Sequence, residues 1–273
     1  MPRGFLHFSE YAIPWGIPVP GTINPLILVA PPKSGSSLLN ELVRDMCHAA
    51  GQPFIDIPGY LFHYGFDLTT LDLKNPAKLF NQPGFCYGGF RNWPEFMAHS
   101  DPPIFTPTLF LMRDPRDMIV SAYFSERESH FVPDAGPARQ RVLRRRKLVQ
   151  SMAIDDYAIA TIDHYQELLE TTRPLWRSTG TGPERYVFRY EDVIYRKAKL
   201  AAEVSEILGL GLSDEKLREL AKGRDSFPEK EDPGGHIRQV HPGNHREKLR
   251  PETIEILTER FRGVLEEFGY FTD

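Results

Sequence analysis

A short run of small and basic residues, Pro31-Pro-Lys-Ser-Gly-Ser-Ser37, combines side chains that bind phosphate groups. It holds one lysine, one glycine and three serines, namely Lys33, Gly35, Ser34, Ser36 and Ser37. Apolar residues 26–30 before it predict a buried strand, and the helical periodicity of apolar residues from position 36 onward predicts a helix. A turn between a strand and a helix N-terminus directs backbone N–H groups and the helix dipole at one point. The segment therefore predicts an anion site, although an ordinary strand–helix turn is an alternative explanation.

A second group of polar residues follows the apolar run Thr108–Met112, which predicts another buried strand. Arg113 stands at the carboxyl end of that strand, and Ser121 lies two turns into a helix predicted from Pro115. In open α/β sheets, ligands bind at the carboxyl ends of the strands. An Arg fork and a hydroxyl placed there could hold one phosphate from two directions. By itself the segment would better fit a surface network of arginines and aspartates around a capped helix.

Predicted strands alternate with predicted helices, so we expect an α/β fold with a central parallel sheet flanked by helices. The strands are predicted at residues 26–30, 53–57, 85–90, 108–112 and 186–189. The helices are predicted at residues 36–50, 115–127, 139–171, 191–208, 213–223 and 251–269. Three further segments are expected to form an extended N-terminal arm (1–25), a long binding loop (58–84) and a lid loop over the site (224–250).

Length and composition restrict the class of protein. The chain of 273 residues is expected to form one domain over residues 1–273, and its net charge of −4 gives no general attraction to nucleic acid or anionic membranes. No stretch approaches the ~20 apolar residues of a membrane span, and the N-terminus lacks a secretion-signal pattern. Cys47 and Cys86 are predicted to be buried free thiols, which indicates a reducing, cytoplasmic location.

The two polar segments together resemble the nucleotide-binding motifs of sulfotransferases that use 3′-phosphoadenosine-5′-phosphosulfate (PAPS). The first resembles the 5′-phosphosulfate loop, and Arg113-Asp-Pro-Arg-Asp-x-x-x-Ser-x-Tyr123 is similar to the 3′-phosphate motif, about 80 residues later. A Walker A loop differs, because its lysine follows the last glycine, whereas Lys33 precedes Gly35. The resemblance implies a P-loop NTPase-like sulfotransferase fold and PAPS as co-substrate, bound by the first loop and by Arg113 and Ser121.

Weaker matches extend the resemblance to about residue 250. Tyr190, in Arg189-Tyr-Glu-Asp192, matches a tyrosine near the adenine, and Ser226-Phe227 is similar to a pair whose ring packs on the adenine. The segment from Arg238 through Gly243 to Arg246 resembles a degraded form of the family's C-terminal loop over the 3′-phosphate, and Arg238 and Gly243 are its residues expected in the nucleotide site. All of these residues are expected to contact the nucleotide.

The resemblance is incomplete on the acceptor side. Leu38 replaces the aromatic residue that usually follows the first loop, and the segment Tyr87–Pro94 lacks the family's catalytic histidine. Arg91 stands near that position, but an arginine stays protonated and is a poor base. We therefore predict His63 as the base, because a histidine pKa suits proton uptake near neutrality, with Asp56 as the second candidate. Glu126, Glu128 and His130 are expected at the mouth of the acceptor site.

The resemblance thus implies an enzyme that moves a sulfuryl group to a hydroxyl or amine of a small molecule or saccharide. The spacing of His236, His241 and His245 fits no common zinc pattern, so no metal is expected. The basic segment 139–147 is interpreted as a solvated helix face or a rim for an anionic acceptor rather than a nucleic-acid site. Two rival functions remain: a P-loop kinase or NTPase, and a non-catalytic nucleotide-binding module. The oligomeric state is not encoded in any pattern we identify.

Overall fold

The computed structural model describes residues 3–8, 11–16, 18–68, 71, 73, 75–177, 182–224 and 239–271. The first two strands, β1 (Arg3–Phe8) and β2 (Tyr11–Gly16), pair as an antiparallel hairpin from Arg3 opposite Gly16 to Phe8 opposite Tyr11. The sequence predicted an extended arm here, and the described residues of that segment include two extended strands that pair with each other. Pairing two strands satisfies backbone groups that an isolated extended arm would leave to water.

A five-stranded parallel sheet forms the centre of the fold. Its strands are β3 (Leu26–Val29), β4 (Phe54–Ile55), β5 (Cys86–Phe90), β6 (Thr108–Met112) and β7 (Arg185–Arg189), in the spatial order β4-β5-β3-β6-β7. All five strands fall within one residue or so of predicted runs, except that β4 stops at Ile55. Asp56 ends it because its side chain caps the following helix, accepting a hydrogen bond from the Gly59 N–H at 2.7 Å.

Helices cover both faces of the sheet, as the alternating pattern predicted. The first seven are α1 (Ser36–Ala49), α2 (Ile57–His63), α3 (Pro76–Phe80), α4 (Glu95–Ala98), α5 (Pro115–Phe124), α6 (Gly136–Gln150) and α7 (Ile154–Thr172). The remaining six are α8 (Tyr190–Val193), α9 (Lys197–Leu208), α10 (Asp214–Lys222), α11 (Asn244–Lys248), α12 (Pro251–Arg260) and α13 (Arg262–Glu267). None of the helices in the described part of the chain is both long enough and apolar enough to cross a bilayer.

The core lies in two layers separated by the sheet. Leu26 and Leu28 pack on one face with α1, α9 and α10, whereas Ile27 and Val29 pack on the other with α2, α5, α7 and α12. Every residue of β3 is buried because both of its faces are covered. Alternate side chains of one central strand therefore join both layers into a rigid support for the loop that follows it.

Several predicted boundaries were wrong for local reasons. The expected long loop at 58–84 contains α2 and α3, whose starts are set by the side-chain caps Asp56 and Asn75 and by a proline in the first turn of each helix. The single helix predicted at 139–171 is two helices, broken at residues 151–153. After α5 the chain forms one π-helical turn, Ser125–Ser129, which a 3.6-residue periodicity does not reveal.

Candidate active site

A cavity of about 490 Å³ opens at the carboxyl edge of the sheet. Polar residues that follow four adjacent strands line it: Arg91 after β5, Lys33 after β3, Arg113 after β6 and Tyr190 after β7. The chain leaves β3 toward β4 on one side and β6 toward β7 on the other, so the gap between β3 and β6 is the point where the strand order reverses. Parallel sheets place ligand sites at such points.

The loop after β3 is a compact turn closed by Ser34. Its backbone N–H and its hydroxyl both donate to the Pro31 carbonyl, at 3.1 and 2.8 Å. The side chain of Ser34 is therefore buried inside the turn, while Lys33 and Gly35–Leu38 line the cavity. The backbone of Lys33 is left-handed, with φ of 68°, which costs a non-glycine residue roughly 1–3 kcal/mol.

Gly35 occupies a position that a larger residue could not fill. Its φ is +92°, and an added Cβ would lie 2.6 Å from Cδ2 of Tyr190. It forms the N-cap of α1, and Leu39 donates to its carbonyl at 3.0 Å. The N–H groups of Ser36, Ser37 and Leu38 lie in the first turn, where a helix offers no carbonyl partner. Together they form a cradle for an anion.

Arg113 lies beside this cradle and is 5% exposed. Its Nη1 donates to the Lys33 carbonyl at 3.4 Å, and its guanidinium carbon lies 4.4 Å from the centre of the Tyr190 ring. The Nε is buried and has no hydrogen-bond partner among the described residues. Ser121 of α5 lines the same cavity. The two segments predicted to grip one nucleotide therefore share one wall of one cavity.

Asp117 holds this wall to the C-terminal part of the chain. Its carboxylate accepts hydrogen bonds from the backbone N–H groups of Gly243 and His245 at 2.7 and 2.9 Å, and lies 2.7 Å from Nδ1 of the His245 ring. It also lies 3.5 Å from the Arg113 guanidinium. Burial favours the neutral acid, but the His245 hydrogen bonds and the Arg113 charge outweigh it, so the pKa of Asp117 lies well below its usual range. Gly243 is thus tied to the site without lining the cavity.

Tyr190 contacts the cavity with its ring and the C-terminal part of the chain with its hydroxyl. Its ring lines the cavity beneath Arg113, and its hydroxyl donates to the Val240 carbonyl at 2.8 Å. The next residue, Glu191, accepts from the backbone N–H of Asp114 at 3.0 Å and from the Tyr270 hydroxyl at the same distance. The predicted adenine contacts Ser226 and Phe227, and the predicted phosphate contact Arg238, lie outside the described residues.

The two predicted bases are not among the residues that line the cavity. Asp56 follows β4, the edge strand beyond β5, and its side chain caps α2. His63 ends α2 with its side chain exposed, and its ring lies against Phe131 at a centroid distance of 6.4 Å. The geometry therefore brings neither group to the donor cradle.

The structure instead places Phe62, Phe124, His130 and Phe131 in the cavity lining. His130 follows the π-helical turn directly, and its backbone N–H closes that turn by donating to Ser125 at 2.6 Å. The sequence placed His130 at the acceptor mouth but gave no reason to prefer it as a base, because the π-helical turn that sets its position is not marked by a 3.6-residue periodicity.

Positive charge dominates the cavity. Lys33, Arg91 and Arg113 line it, and Nη1 of Arg91 is buried with no hydrogen-bond partner among the described residues. Burial lowers the pKa of Arg91, against the opposing effect of Asp56. Within the described ranges no group of three His, Cys, Asp or Glu side chains has the arrangement of a metal site. His241 pairs with Tyr195 and His245 with Asp117, so these two histidines lie in different networks.

Comparisons with solved structures agree with this architecture. Mouse sulfotransferase SULT7A1 complexed with PAP superposes with a TM-score of 0.57 at 14% identity, covering 88% of this chain and 85% of that chain. Retinol dehydratase in complex with androsterone and the inactive cofactor PAP superposes with a TM-score of 0.52 at 16% identity, covering 91% and 82%. No family model and no curated protein sequence matches the chain. The protein has the fold of the sulfotransferases.

Proposed function

We propose that this protein is a sulfotransferase that moves the sulfuryl group of PAPS to a hydroxyl or amine of an acceptor. One observation carries the proposal. The lysine–serine loop after β3 and Arg113 after β6 open into the same cavity on adjacent strands. Their order along the chain matches the 5′- and 3′-phosphate motifs of the family. Two structures of this fold carry PAP, which is 3′,5′-diphosphoadenosine, the product that PAPS leaves after sulfuryl transfer.

We infer that the cavity holds a nucleotide that is phosphorylated at both its 3′ and its 5′ position. The first turn of α1 and Lys33 would hold the 5′-phosphosulfate, because free N–H groups and one ammonium converge there. Arg113 and Ser121 would hold the 3′-phosphate, and the buried, unpartnered Nε of Arg113 supplies a donor for it. The ring of Tyr190, together with Ser226, Phe227, Arg238 and Gly243 from the C-terminal segment, is proposed to complete the nucleotide site.

The donor side would act by stabilising the leaving group. As the sulfuryl group departs, negative charge builds on the phosphate oxygen that it leaves. Lys33 and the N–H groups of Ser36 and Ser37 would neutralise this charge, and one such preorganised donor typically contributes ~2.7–4 kcal/mol to the barrier. A sulfuryl group carries less charge than a phosphoryl group, so the chemistry does not demand a bridging metal ion.

The acceptor is proposed to be a small molecule with an apolar body. Phe62, Phe124 and Phe131 form an aromatic wall of the cavity, with Phe62 and Phe131 ring centres 6.1 Å apart. Aromatic walls bind apolar or planar bodies through area and ring contacts. A saccharide could stack on the same wall and is the second candidate. The buried free thiols Cys47 and Cys86 support a cytoplasmic site of action.

Nucleotide binding separates this function from its first rival. We expect 3′,5′-diphosphoadenosine to raise the melting temperature of the protein strongly, without Mg²⁺, and ATP with Mg²⁺ to raise it little. The reverse order would favour a P-loop kinase or NTPase. Transfer of ³⁵S from labelled PAPS to members of a panel of phenols, alcohols and sugars tests catalysis itself. Tight diphosphate binding without any transfer would favour a nucleotide-binding module.

A further inference from the structure

We propose that His130 is the catalytic base that takes the proton of the acceptor. This inference rests on the proposed function and names the residue that the sequence motifs leave undefined. His130 lines the cavity together with Lys33 and the aromatic wall. It therefore faces the same cavity as the donor loop, on the side of the aromatic wall where the acceptor is proposed to bind.

The chain holds His130 in place through contacts on three sides. Its N–H closes the π-helical turn at Ser125, and its carbonyl accepts a hydrogen bond from Nη2 of Arg146 at 2.5 Å. Its ring packs edge-on against Phe62 at a centroid distance of 6.0 Å. Glu126, in the same turn, pairs with Arg145 of α6 at 2.7 Å. The turn is thus fixed to α6 and the ring to α2. Single π-helical turns often occur at functional sites because they reposition one side chain.

The other ionisable groups of the lining are unsuited to the role. Arginines stay protonated, Lys33 is assigned to charge stabilisation, and the second lysine of the lining, Lys197, carries an ammonium group that donates hydrogen bonds and accepts none. Glu41 forms an ion pair with Arg224. Burial raises the pKa of Tyr190 to about 12, and its hydroxyl already donates to Val240. Among the described residues that line the cavity, His130 is the one imidazole.

The charges around the ring keep it neutral. Desolvation by the surrounding protein, followed by the positive charge of Lys33, lowers the pKa of His130, and Arg146 and Arg91 act in the same direction. Glu126 is the one opposing group among these neighbours. Since the ordinary pKa of histidine is already near 6.5, the imidazole is unprotonated at neutral pH and can accept a proton. His130 remains exposed to solvent, which lets it return the proton to water.

The step balances without a further reactant. The acceptor oxygen attacks sulfur as its O–H proton passes to a ring nitrogen of His130. The bond between sulfur and the bridging oxygen of the 5′-phosphate breaks, and its electron pair stays on that phosphate oxygen beside Lys33. The products are the sulfated acceptor and 3′,5′-diphosphoadenosine, and the imidazolium then loses its proton to solvent.

Two acceptor probes that differ in acidity distinguish a base from a packing residue. 4-Nitrophenol is partly ionised near neutral pH and needs little help from a base, whereas 4-nitrobenzyl alcohol is not ionised. We expect His130→Asn to lower kcat/KM by about 10²–10⁴-fold with the alcohol and by less than about tenfold with the phenol. His130→Gln should behave alike. Binding of 3′,5′-diphosphoadenosine, measured by calorimetry, should stay within about threefold of the wild type in both variants.

The wild-type pH profile gives a second readout. With the alcohol, kcat/KM should fall as the pH drops through the pKa of His130, below 6.5, and this acid limb should vanish in His130→Asn. His99→Asn is the matched control, since His99 is an exposed imidazole outside the cavity lining. It should leave both the rate and the limb unchanged.

The outcomes separate the inference from the proposed function. If the wild type transfers sulfate but His130→Asn loses kcat/KM equally with both probes, His130 is not the base, and the sulfotransferase function still holds. A larger loss of kcat/KM in His63→Asn or Asp56→Asn would lead to the same conclusion. Failure of the wild type to transfer sulfate to either probe would overturn the proposed apolar acceptor and the base with it. Failure to bind 3′,5′-diphosphoadenosine would overturn the sulfotransferase function itself.

Discussion

The two walls of the cavity are built in different ways. The donor wall comes from turns that directly follow the central strands β3 and β6, with Lys33 and Arg113 joined by a hydrogen bond of 3.4 Å. The acceptor wall comes from the end of α2, the π-helical turn and the segment after it, where the Phe62 ring contacts the rings of His130 and Phe131. One wall is set by backbone at the centre of the sheet, and the other by side chains packed between helices.

This difference explains why the family resemblance is uneven. A phosphate cradle needs particular backbone angles, such as the left-handed Gly35, and these restrict the sequence over a few adjacent residues. An aromatic wall and a base need only the right groups at the right place, which several segments can supply. The donor wall thus keeps a recognisable motif, while on the acceptor wall the proposed base, His130, comes from another part of the chain.

The largest expected effect tests the donor wall. Lys33→Ala should lower kcat of sulfuryl transfer by about 10²–10³-fold, because it removes a charge that stabilises the leaving group in the transition state. The fold should survive, since Lys33 lies on a loop and its side chain is only partly buried. The checks are steady-state kinetics and thermal unfolding, with the exposed Lys199→Ala as the control. If kcat falls by less than fivefold, Lys33 does not stabilise the leaving group in the transition state.

Arg113→Ala tests whether the second motif recognises the 3′-phosphate. We expect affinity for 3′,5′-diphosphoadenosine to fall by about 10–100-fold, the value of one or two charge-assisted hydrogen bonds, while affinity for the 5′-monophosphate changes little. Calorimetric titration of both nucleotides measures the difference. The exposed Arg218→Ala, on α10, is the control. Equal losses for the two nucleotides would show that Arg113 acts through the fold and not through the phosphate.

Sequence reasoning reached the donor wall because it is local. The β3 strand, the loop and α1 are contiguous, and the run Thr108–Met112 with Arg113 repeats that arrangement on the neighbouring strand. The fold class followed from the alternation of such units. The acceptor wall depends on how α2 and the π-helical turn pack, which no periodicity records. His63 was chosen for its residue type within an aromatic segment, yet helix α2 directs Phe62 and not His63 into the cavity lining.

Asp117 connects the donor wall to the C-terminal segment through hydrogen bonds, so Asp117→Asn should weaken this connection and lower the stability of the protein. The variant replaces a carboxylate that accepts from Gly243 and His245 with an amide, and we expect a loss of ~1–3 kcal/mol of stability at pH 7. Because folding lowers the Asp117 pKa, its contribution is complete above the unfolded value of about 3.9 and declines as the pH falls below it.

Urea unfolding at a series of pH values measures this loss. The difference in free energy of unfolding between wild type and variant should be constant near neutral pH and should become smaller below about pH 4. Asp163→Asn is the control, because Asp163 is highly exposed in its pair with Arg260. If this difference does not depend on pH, the amide destabilises the protein by disturbing the packing, and the charge of Asp117 is not what stabilises the fold.

The smallest expected effect links the two walls. Arg91 follows β5, lines the cavity, and its positive charge disfavours protonation of His130. In Arg91→Gln the imidazole should protonate more readily, so the acid limb of kcat/KM should move to higher pH while the plateau at high pH changes less. Arg141→Gln removes an equal charge that pairs with Asp67, outside the cavity lining, and should leave the acid limb in place.

An acid limb that moves to lower pH in Arg91→Gln would contradict the electrostatic argument, since removing a neighbouring positive charge can only favour the imidazolium. A limb that moves as expected would show that cations at the strand ends also set the protonation state of the acceptor base.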